Sequence, residues 1–424
     1  MSAEPVLVMP GLEVERISDA RGEPAALRAM RRQAREVLAE MVLPDRARHL
    51  WRYTDPRLFV PHRESVGAVP TEVRADWVVN GSHSATALIA GGAVRELELA
   101  DVARRAGVTV TDLHGADVEE TLGSAVPPSH GFVEALNTAV WQGGVLVRVP
   151  AGVRLAAPIE LQIVAGGSGS VATPRVLVLA GESSSFEIVE NHLCGTLESS
   201  HVLGISELLV GPSAHVRHGL VQRWHGGVIG HLTVRARLAR GAKAQLSLAS
   251  FGGAVVKVDA GALLEGEGAE VETCGVAMGG NRQHLDHHTE HLHSAPRTRS
   301  HLDFKVALTQ AAHSTYTGLI RIAESAGASE AYQENRNLLL SADARAETIP
   351  ELEILTDDVR CSHGATVAPL DAEQLFYLLS RGLPPGQAQR LIVYGFLDQT
   401  LRRLPQTTRE RIEALIAERL HSED

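Results

Sequence analysis

Apolar and polar positions divide this chain into three successive textures. Residues 1–22 show no clear period and are expected to be frayed. From Pro24 the spacing Leu27, Met30, Ala34, Val37, Leu38, Met41 makes one helical stripe, with Pro24 suited to the first turn and Pro44 ending the run. Trp51-Arg52-Tyr53-Thr54-Asp55-Pro56 follows as a compact aromatic segment closed by a turn. Residues 71–140 mix short apolar runs with helical patches at Val102–Ala106 and Phe132–Ala139, a mixed α/β lead-in. From about Trp141 the period changes to two. Val145–Val149, Ile159–Ile163 and Arg175–Leu179 read as strands between small-residue turns.

A repeat organises the strand-rich part. Gly181-Glu-Ser-Ser-Ser-Phe186, Gly211-Pro-Ser-Ala-His-Val216, Gly241-Ala-Lys-Ala-Gln-Leu246 and Gly266-Glu-Gly-Ala-Glu-Val271 each join a glycine-led turn to an apolar residue five places on. Their spacings are 30, 30 and 25 residues, and Ala331 falls sixty residues past Val271. Recurrence at such a period marks a solenoid. Strands with small corners predict a parallel β-helix with Phe186, Val216, Leu246 and Val271 pointing inward. A β-sandwich or barrel with hairpins at coincident spacing is the alternative.

The period changes once more at Leu370. Asp371 with Gln374 makes an N-cap pair, Leu375, Leu378 and Leu379 an apolar stripe, and Gly382 a C-cap. Pro384-Pro385-Gly386 separates this from a helix carrying Ala388, Leu391, Ile392 and Phe396. Thr407 and Glu410 open a third, with Ile412, Leu415, Ile416 and Leu420. The chain therefore reads as a helical and mixed region over 1–140, a β-helix core over 141–369 and a helical unit over 370–424. The predicted fold class is mainly β.

At 424 residues, with 44% apolar and 21% charged residues, the composition is that of a globular protein of two or three units. Aromatics are scarce at 4% while glycine is plentiful at 39 residues, which suits thin layers and tight turns. A net charge of −11 argues against a general nucleic-acid binder. No run approaches the roughly 20 apolar residues of a membrane span. Acidic residues stand near the N-terminus where a signal peptide would have lysine or arginine, so a cytoplasmic location is expected.

Candidate chemistry is sparse. Cys194, Cys274 and Cys361 lie too far apart for a C-x-x-C site. The run His284, His287, His288, His291, His293, with Asp286 and Glu290, offers imidazole and carboxylate ligands for zinc or iron. Strand alternation sets His291 and His293 on one face, and His287 adds a ligand only if the chain bends. A hydrogen-bonded polar ladder is the other reading, since no known ligand spacing occurs. Cys361 and His363, two apart on a strand, point the same way and could share a metal or cluster, or be a structural cysteine beside an ordinary histidine. No phosphate loop, dinucleotide fingerprint or nucleophile elbow is present, and the chain is expected not to be an enzyme. The enzymatic alternatives are a β-helix carbohydrate enzyme and a hydrolase using the histidine run.

Read together, Asn335–Leu340, Pro350–Ile354, Asp357–Arg360, Cys361-Ser362-His363-Gly364-Ala365-Thr366-Val367, Leu375–Gly382 and Gly395-Phe396-Leu397 resemble the SufB/SufD family, scaffolds for iron–sulfur cluster assembly. Trp51–Thr54 and Asp286–Thr289 resemble weaker landmarks of the same family. SufB subunits tend to show a His-Glu-Ala type sequence where this chain has Cys361-Ser362-His363-Gly364, which favours the SufD type. The resemblance implies a right-handed parallel β-helix and a SufB–SufC–SufD complex, with a SufC-like ABC-type ATPase docked on the C-terminal helices. Pairing of the isolated chain with itself is a further assembly it leaves open. It also implies that a transient cluster forms at the SufB interface near His363, with Cys361 as neighbour, and that no cofactor is tightly bound. A purely structural partner of SufB is the alternative within the family.

Overall fold

In a computed structural model, residues 14–44, 49–61, 82–91, 93–115, 117–118, 120–165, 171–194 and 200–421 are described. The expectation of fraying over 1–22 meets a helix at Val14–Arg21, and residues 1–13 lie outside the described residues. The helix is too short to show a period of its own. Val14 is buried in a cluster with Ala34, Leu38 and Phe132, and the Ser18 hydroxyl donates to Glu23. The stripe from Leu27 forms the helix Ala25–Glu40. Of the lead-in, residues 71–81 also lie outside the described residues.

The strands form a parallel β-solenoid of about seven turns, with helices toward both ends of the chain. Each coil gives one strand to each of two sheets. In one, Ile159–Ala165, Ser185–Cys194, His215–Arg223, Lys243–Ser250, Glu270–Gly279, Arg299–Leu308, Ser329–Leu339 and Val359–Pro369 stack in register. In the other, Gly143–Val149, Pro174–Ala180, Ser200–Val210, Val228–Leu238, Val255–Leu264, His284–His293, His313–Ile322 and Arg345–Ile354 do the same. The principal apolar core lies between the sheets.

The repeat has a different phase from the one its glycines suggest. Ser183, Ser213, Gly241, Gly268, Arg297 and Ala328 all have φ between 56° and 71° and occupy the same corner of successive coils. Each donates its N–H to a carbonyl of the next coil, from Ser183 to Pro212 through Ala328 to Asp358. Gly241 thus sits at the left-handed position, two residues later in its turn than Gly181, Gly211 and Gly266. The register partner of Val216 is accordingly Ala244, not Leu246, and the column runs Phe186, Val216, Ala244, Val271, Ser300, Ala331, Cys361. Leu246 faces inward all the same, because two residues along a strand return to the same face.

Both sheets are covered on their outer faces, which is why their strands are buried on two sides. The last two helices, Pro385–Leu401 and Gln406–His421, share a cluster with Val189, Val221, Ala249, Val276 and Met278 on one sheet. Pro385–Leu401 turns Ala388, Val393, Leu397 and Leu401 inward rather than the expected Leu391, which is exposed. On the other sheet, Ala25–Glu40 and Phe132–Val140 pack with Trp51 and Phe59 around Leu203. Arg31 is fully buried there, paired with Glu23 and donating to the carbonyls of Ala139 and Trp141.

The two ends of the solenoid differ. At the first end, Ala93–Leu99 and Thr109–Asp112 pair antiparallel with Ala85–Ala90 and Gly143–Val149, and so close both sheets. At the other end, Arg345–Ile354 and Val359–Pro369 are the outermost strands of their sheets. No residue of either is fully buried.

Candidate functional site

Strand alternation aims Cys361, His363, Ala365 and Val367 along the inner face of the last coil, because their register partners Ala331, Gln333, Asn335 and Asn337 are interior residues of the coil before. Gln333 and Asn335 are fully buried and Ala331 and Asn337 nearly so. One coil further on, His363 is exposed and Cys361 half-buried. Cys361 rests against an apolar cluster of Ile320, Ile322, Ala326 and Ala331, and burial pushes its thiol above the usual value. The opposite wall is Arg345–Ile354, whose inward side carries Ala346, Thr348, Pro350, Leu352 and Ile354. The pair expected from the sequence therefore lies on one side of one strand, at the mouth of the solenoid.

The histidine run divides between the two faces of its strand. His287, His291 and His293 point into the solenoid, where each takes a separate partner. The Ser250 hydroxyl lies 2.9 Å from His287 Nε2 and the Thr273 hydroxyl 2.9 Å from His291 Nε2. His293 contacts the hydroxyls of Thr298 and Ser300 at 2.7 and 2.9 Å. Burial lowers these imidazoles, to about 4 for His287 and His293 and about 3 for His291. The strand does not bend to bring the rings together. The geometry is that of the polar ladder.

The outward members hold the N-terminal segment instead. The Thr54 hydroxyl bridges His284 and Asp286, and Asp286 pairs with Lys257 at 2.8 Å. Lys257 Nζ also lies 4.9 Å from the centre of the Trp51 ring. This explains the compact Trp51–Thr54 segment, which anchors the chain across the sheet. Next to it His288, Arg235 and His130 all contact Asp259, at 2.6, 2.8 and 2.9 Å. His130, Glu134 and Asp259 are the one group among the described residues whose ligand atoms converge as a metal site would require. Arg235 already supplies Asp259 with a buried cation. Together with His288 it holds that carboxyl far down against the burial that would raise it. Sequence reasoning missed this network because His130 lies 105 to 158 positions from Arg235, Asp259 and His288.

A second buried polar group lies inside the solenoid. Glu190 accepts from the Ser206 hydroxyl and contacts His192 and His218 at 3.1 and 2.8 Å. Burial would raise this carboxyl, but the two imidazoles outweigh it and lower it to about 2.

The helix Ala372–Ser380 emerges beside the open coil. Asp371 caps it by accepting from the N–H groups of Glu373 and Gln374, and Gly382 ends it at φ 87°. None of its residues is buried. Phe376, Tyr377 and Leu379 are 72%, 59% and 37% exposed, and Leu391 of the next helix 53%. Of the apolar stripe expected from Leu375, Leu378 and Leu379, the first two are half-buried and Leu379 is exposed.

The architecture is thus a parallel β-solenoid with helical appendages and a last coil, bearing a cysteine and a histidine, that none of the described residues covers. The chain belongs to the SufBD family of the SUF system for iron–sulfur cluster assembly: the family model described as "SUF system FeS cluster assembly, SufBD core domain" matches residues 163–396. It is 30% identical over 282 residues to the iron–sulfur cluster assembly protein SufB of Bacillus subtilis, covering 66% of this chain and 60% of that protein. It is 29% identical over 288 residues to a SufBD family protein of Staphylococcus haemolyticus, covering 68% of this chain and 62% of the relative. A SufBD family protein of Staphylococcus epidermidis is also 29% identical, over 287 residues. The matches span about three fifths of the length of these relatives. Among the described residues no helix is long and apolar enough to cross a membrane.

Proposed function

We propose that this chain is a SufD-type scaffold subunit, a cytoplasmic protein whose last coil is completed by a SufB-like partner and at whose junction a nascent iron–sulfur cluster is built. One observation carries this reading. The interior columns end on Cys361 and His363 in a coil that none of the described residues covers, whereas the positions beneath them are buried. A terminal strand with unpaired N–H and C=O groups is a template for another chain. Thiolate and imidazole at such a junction are ligands suited to iron. The Cys361-Ser362-His363-Gly364 sequence supports SufD rather than SufB.

The exposed apolar face of Ala372–Ser380, with Leu391 beside it, supports docking of the SufC-like ATPase there. That partner supplies the hydrolysis, and this chain acts as a scaffold without catalysis of its own. The cluster is cargo rather than a resident cofactor. Co-expression of this chain with SufB-like and SufC-like subunits, followed by affinity purification and analysis of iron and sulfide, tests the reading. Recovery of this chain alone or only as its own dimer, in the presence of both partners, contradicts it.

A further inference from the structure

Along one outward column of the sheet that ends in Val359–Pro369, charge alternates from coil to coil. Lys243, Glu270, Arg299, Glu330 and Arg360 are successive register partners. Their ion pairs follow the same order, at 2.9 Å for Lys243 with Glu270 and 3.8 Å for Glu270 with Arg299. Arg299 then meets Glu330 at 3.6 Å, and Glu330 meets Arg360 at 3.8 Å. Glu270, Arg299 and Glu330 thus each stand between two opposite charges. Arg360 has its counter-charge on one side only, and its side chain is 88% exposed. Among the described residues no second carboxylate pairs with it.

The rest of the edge strand offers no other full charge. Arg360 is the only Lys, Arg, Asp or Glu between Val359 and Pro369. The adjacent outward column, Gln245, Glu272, His301, Tyr332 and Ser362, closes on a hydroxyl. Its one carboxylate, Glu272, is held by Arg403 at 2.5 Å. Opposite charges facing across neighbouring strands are favourable and like charges unfavourable. A strand added to this edge therefore meets one electrostatic requirement, at Arg360. Exposed pairs of this kind contribute little to stability, but their sign discriminates between partners.

We propose that the strand continuing this sheet places an aspartate or glutamate beside Arg360, extending the alternation by one layer. The inference rests on the reading of the open coil as the junction with a SufB-like partner, and it states the chemistry of that partner's edge. Arg360 adjoins Cys361 in sequence and lies on the opposite face of the strand. A carboxylate held at Arg360 on the outside therefore determines which partner residues stand over Cys361 and His363 on the inside. A slip of one residue would exchange the two faces. The ion pair sets the register of the junction.

The test measures binding of the full chain to a SufB-like subunit by surface plasmon resonance at constant ionic strength. Arg360→Glu should keep the circular dichroism of the wild type and weaken binding about tenfold or more. Arg360→Gln, which sets no like charge against Glu330, should weaken it in the same direction by a smaller factor. Arg105→Glu makes the same charge change on an exposed helix position at the closed end and should leave binding unchanged. Each Asp and Glu of the partner's outermost strand is then changed to arginine, one at a time. One of these should bind the Arg360→Glu chain about tenfold tighter than the unaltered partner does. No binding by the wild-type chain overturns the junction reading together with this inference. Wild-type binding that Arg360→Glu leaves undiminished, an equal loss in Arg105→Glu, or a loss that no partner reversal restores overturns the inference alone.

Discussion

Gln333 and His363 are register partners on adjacent parallel strands, yet Gln333 is fully buried and His363 is exposed. Gln333 donates to the Gly318 carbonyl at 3.2 Å and is locked into the packed interior. His363 continues the same column one layer further, where the layer is unfinished. Loss of its imidazole therefore opens no cavity. His363→Ala should keep the melting temperature and the purified complex unchanged while lowering the iron and sulfide recovered with it. Normal cluster yield in that complex would remove His363 from the site.

Cys361 separates ligation from packing. Cys361→Ser keeps the size of the side chain but replaces a soft ligand with a hydroxyl, so iron content should fall. A purely structural thiol would instead show only a modest loss of stability. Iron analysis and thermal melts on the same preparations distinguish the two.

Docking of the ATPase is tested on a surface that the fold itself does not use. Phe376→Glu and Leu391→Glu alter exposed positions, so stability should change by no more than about 0.5 kcal/mol. Binding of the SufC-like subunit should be lost in a pull-down. Deletion of 370–424 is a poorer test, because it also uncovers Val189, Val221, Ala249 and Val276 on the sheet. Retained binding in both point variants places the ATPase elsewhere.

The revised phase of the repeat makes a stability prediction. Leu246 is fully buried, and Leu246→Ala should cost about 2–5 kcal/mol. Ala244 stands in the Val216–Val271 column, so Ala244→Leu forces extra volume into a filled layer and should cost about 1–3 kcal/mol. Urea denaturation measures both. A neutral Ala244→Leu would contradict the register.

The interior histidines give stability a direction with pH. Their folded values, about 4, 3 and 4 for His287, His291 and His293, lie below the ordinary 6.5. Below pH 6.5 the unfolded chain therefore binds more protons than the folded one, and stability falls as pH drops from about 6.5 toward 4. His130 works in the opposite sense. Burial would lower its pKa, but Asp259 outweighs this and raises it, so protonation there favours the fold on the acid side. His291→Gln should flatten the loss on acidification. Urea midpoints measured between about pH 7 and pH 4.5 would reveal no such flattening if His291 were solvated.

The solenoid was legible because its corners recur, and the C-terminal helices because Asp371, Gly382 and the Pro384-Pro385 break punctuate them. The phase was not legible from glycines. Ser183, Ser213, Arg297 and Ala328 adopt the same left-handed turn conformation as Gly241, held by the hydrogen bond each N–H donates to the next coil rather than by residue type. Nor could periodicity show which apolar faces stay uncovered. Leu391 belongs to an apolar pattern yet is exposed, while Val393 and Leu397 meet the sheet. The pairing of Cys361 with His363 on one face followed from strand alternation, whereas their position at the mouth depended on where the coils stop.

The hydroxyl partners of His287, His291 and His293 bear on how the chain finds its own order. Coils of similar length and apolar interior could stack on the wrong neighbour with little penalty, a hazard common to repetitive architectures. Ser250, Thr273 and Ser300 meet these imidazoles only when the coils assemble in the native sequence, since a displaced coil would leave a buried ring nitrogen unpaired. The ladder thus works as a key to the order of stacking, rejecting misthreaded arrangements that an all-aliphatic interior would tolerate.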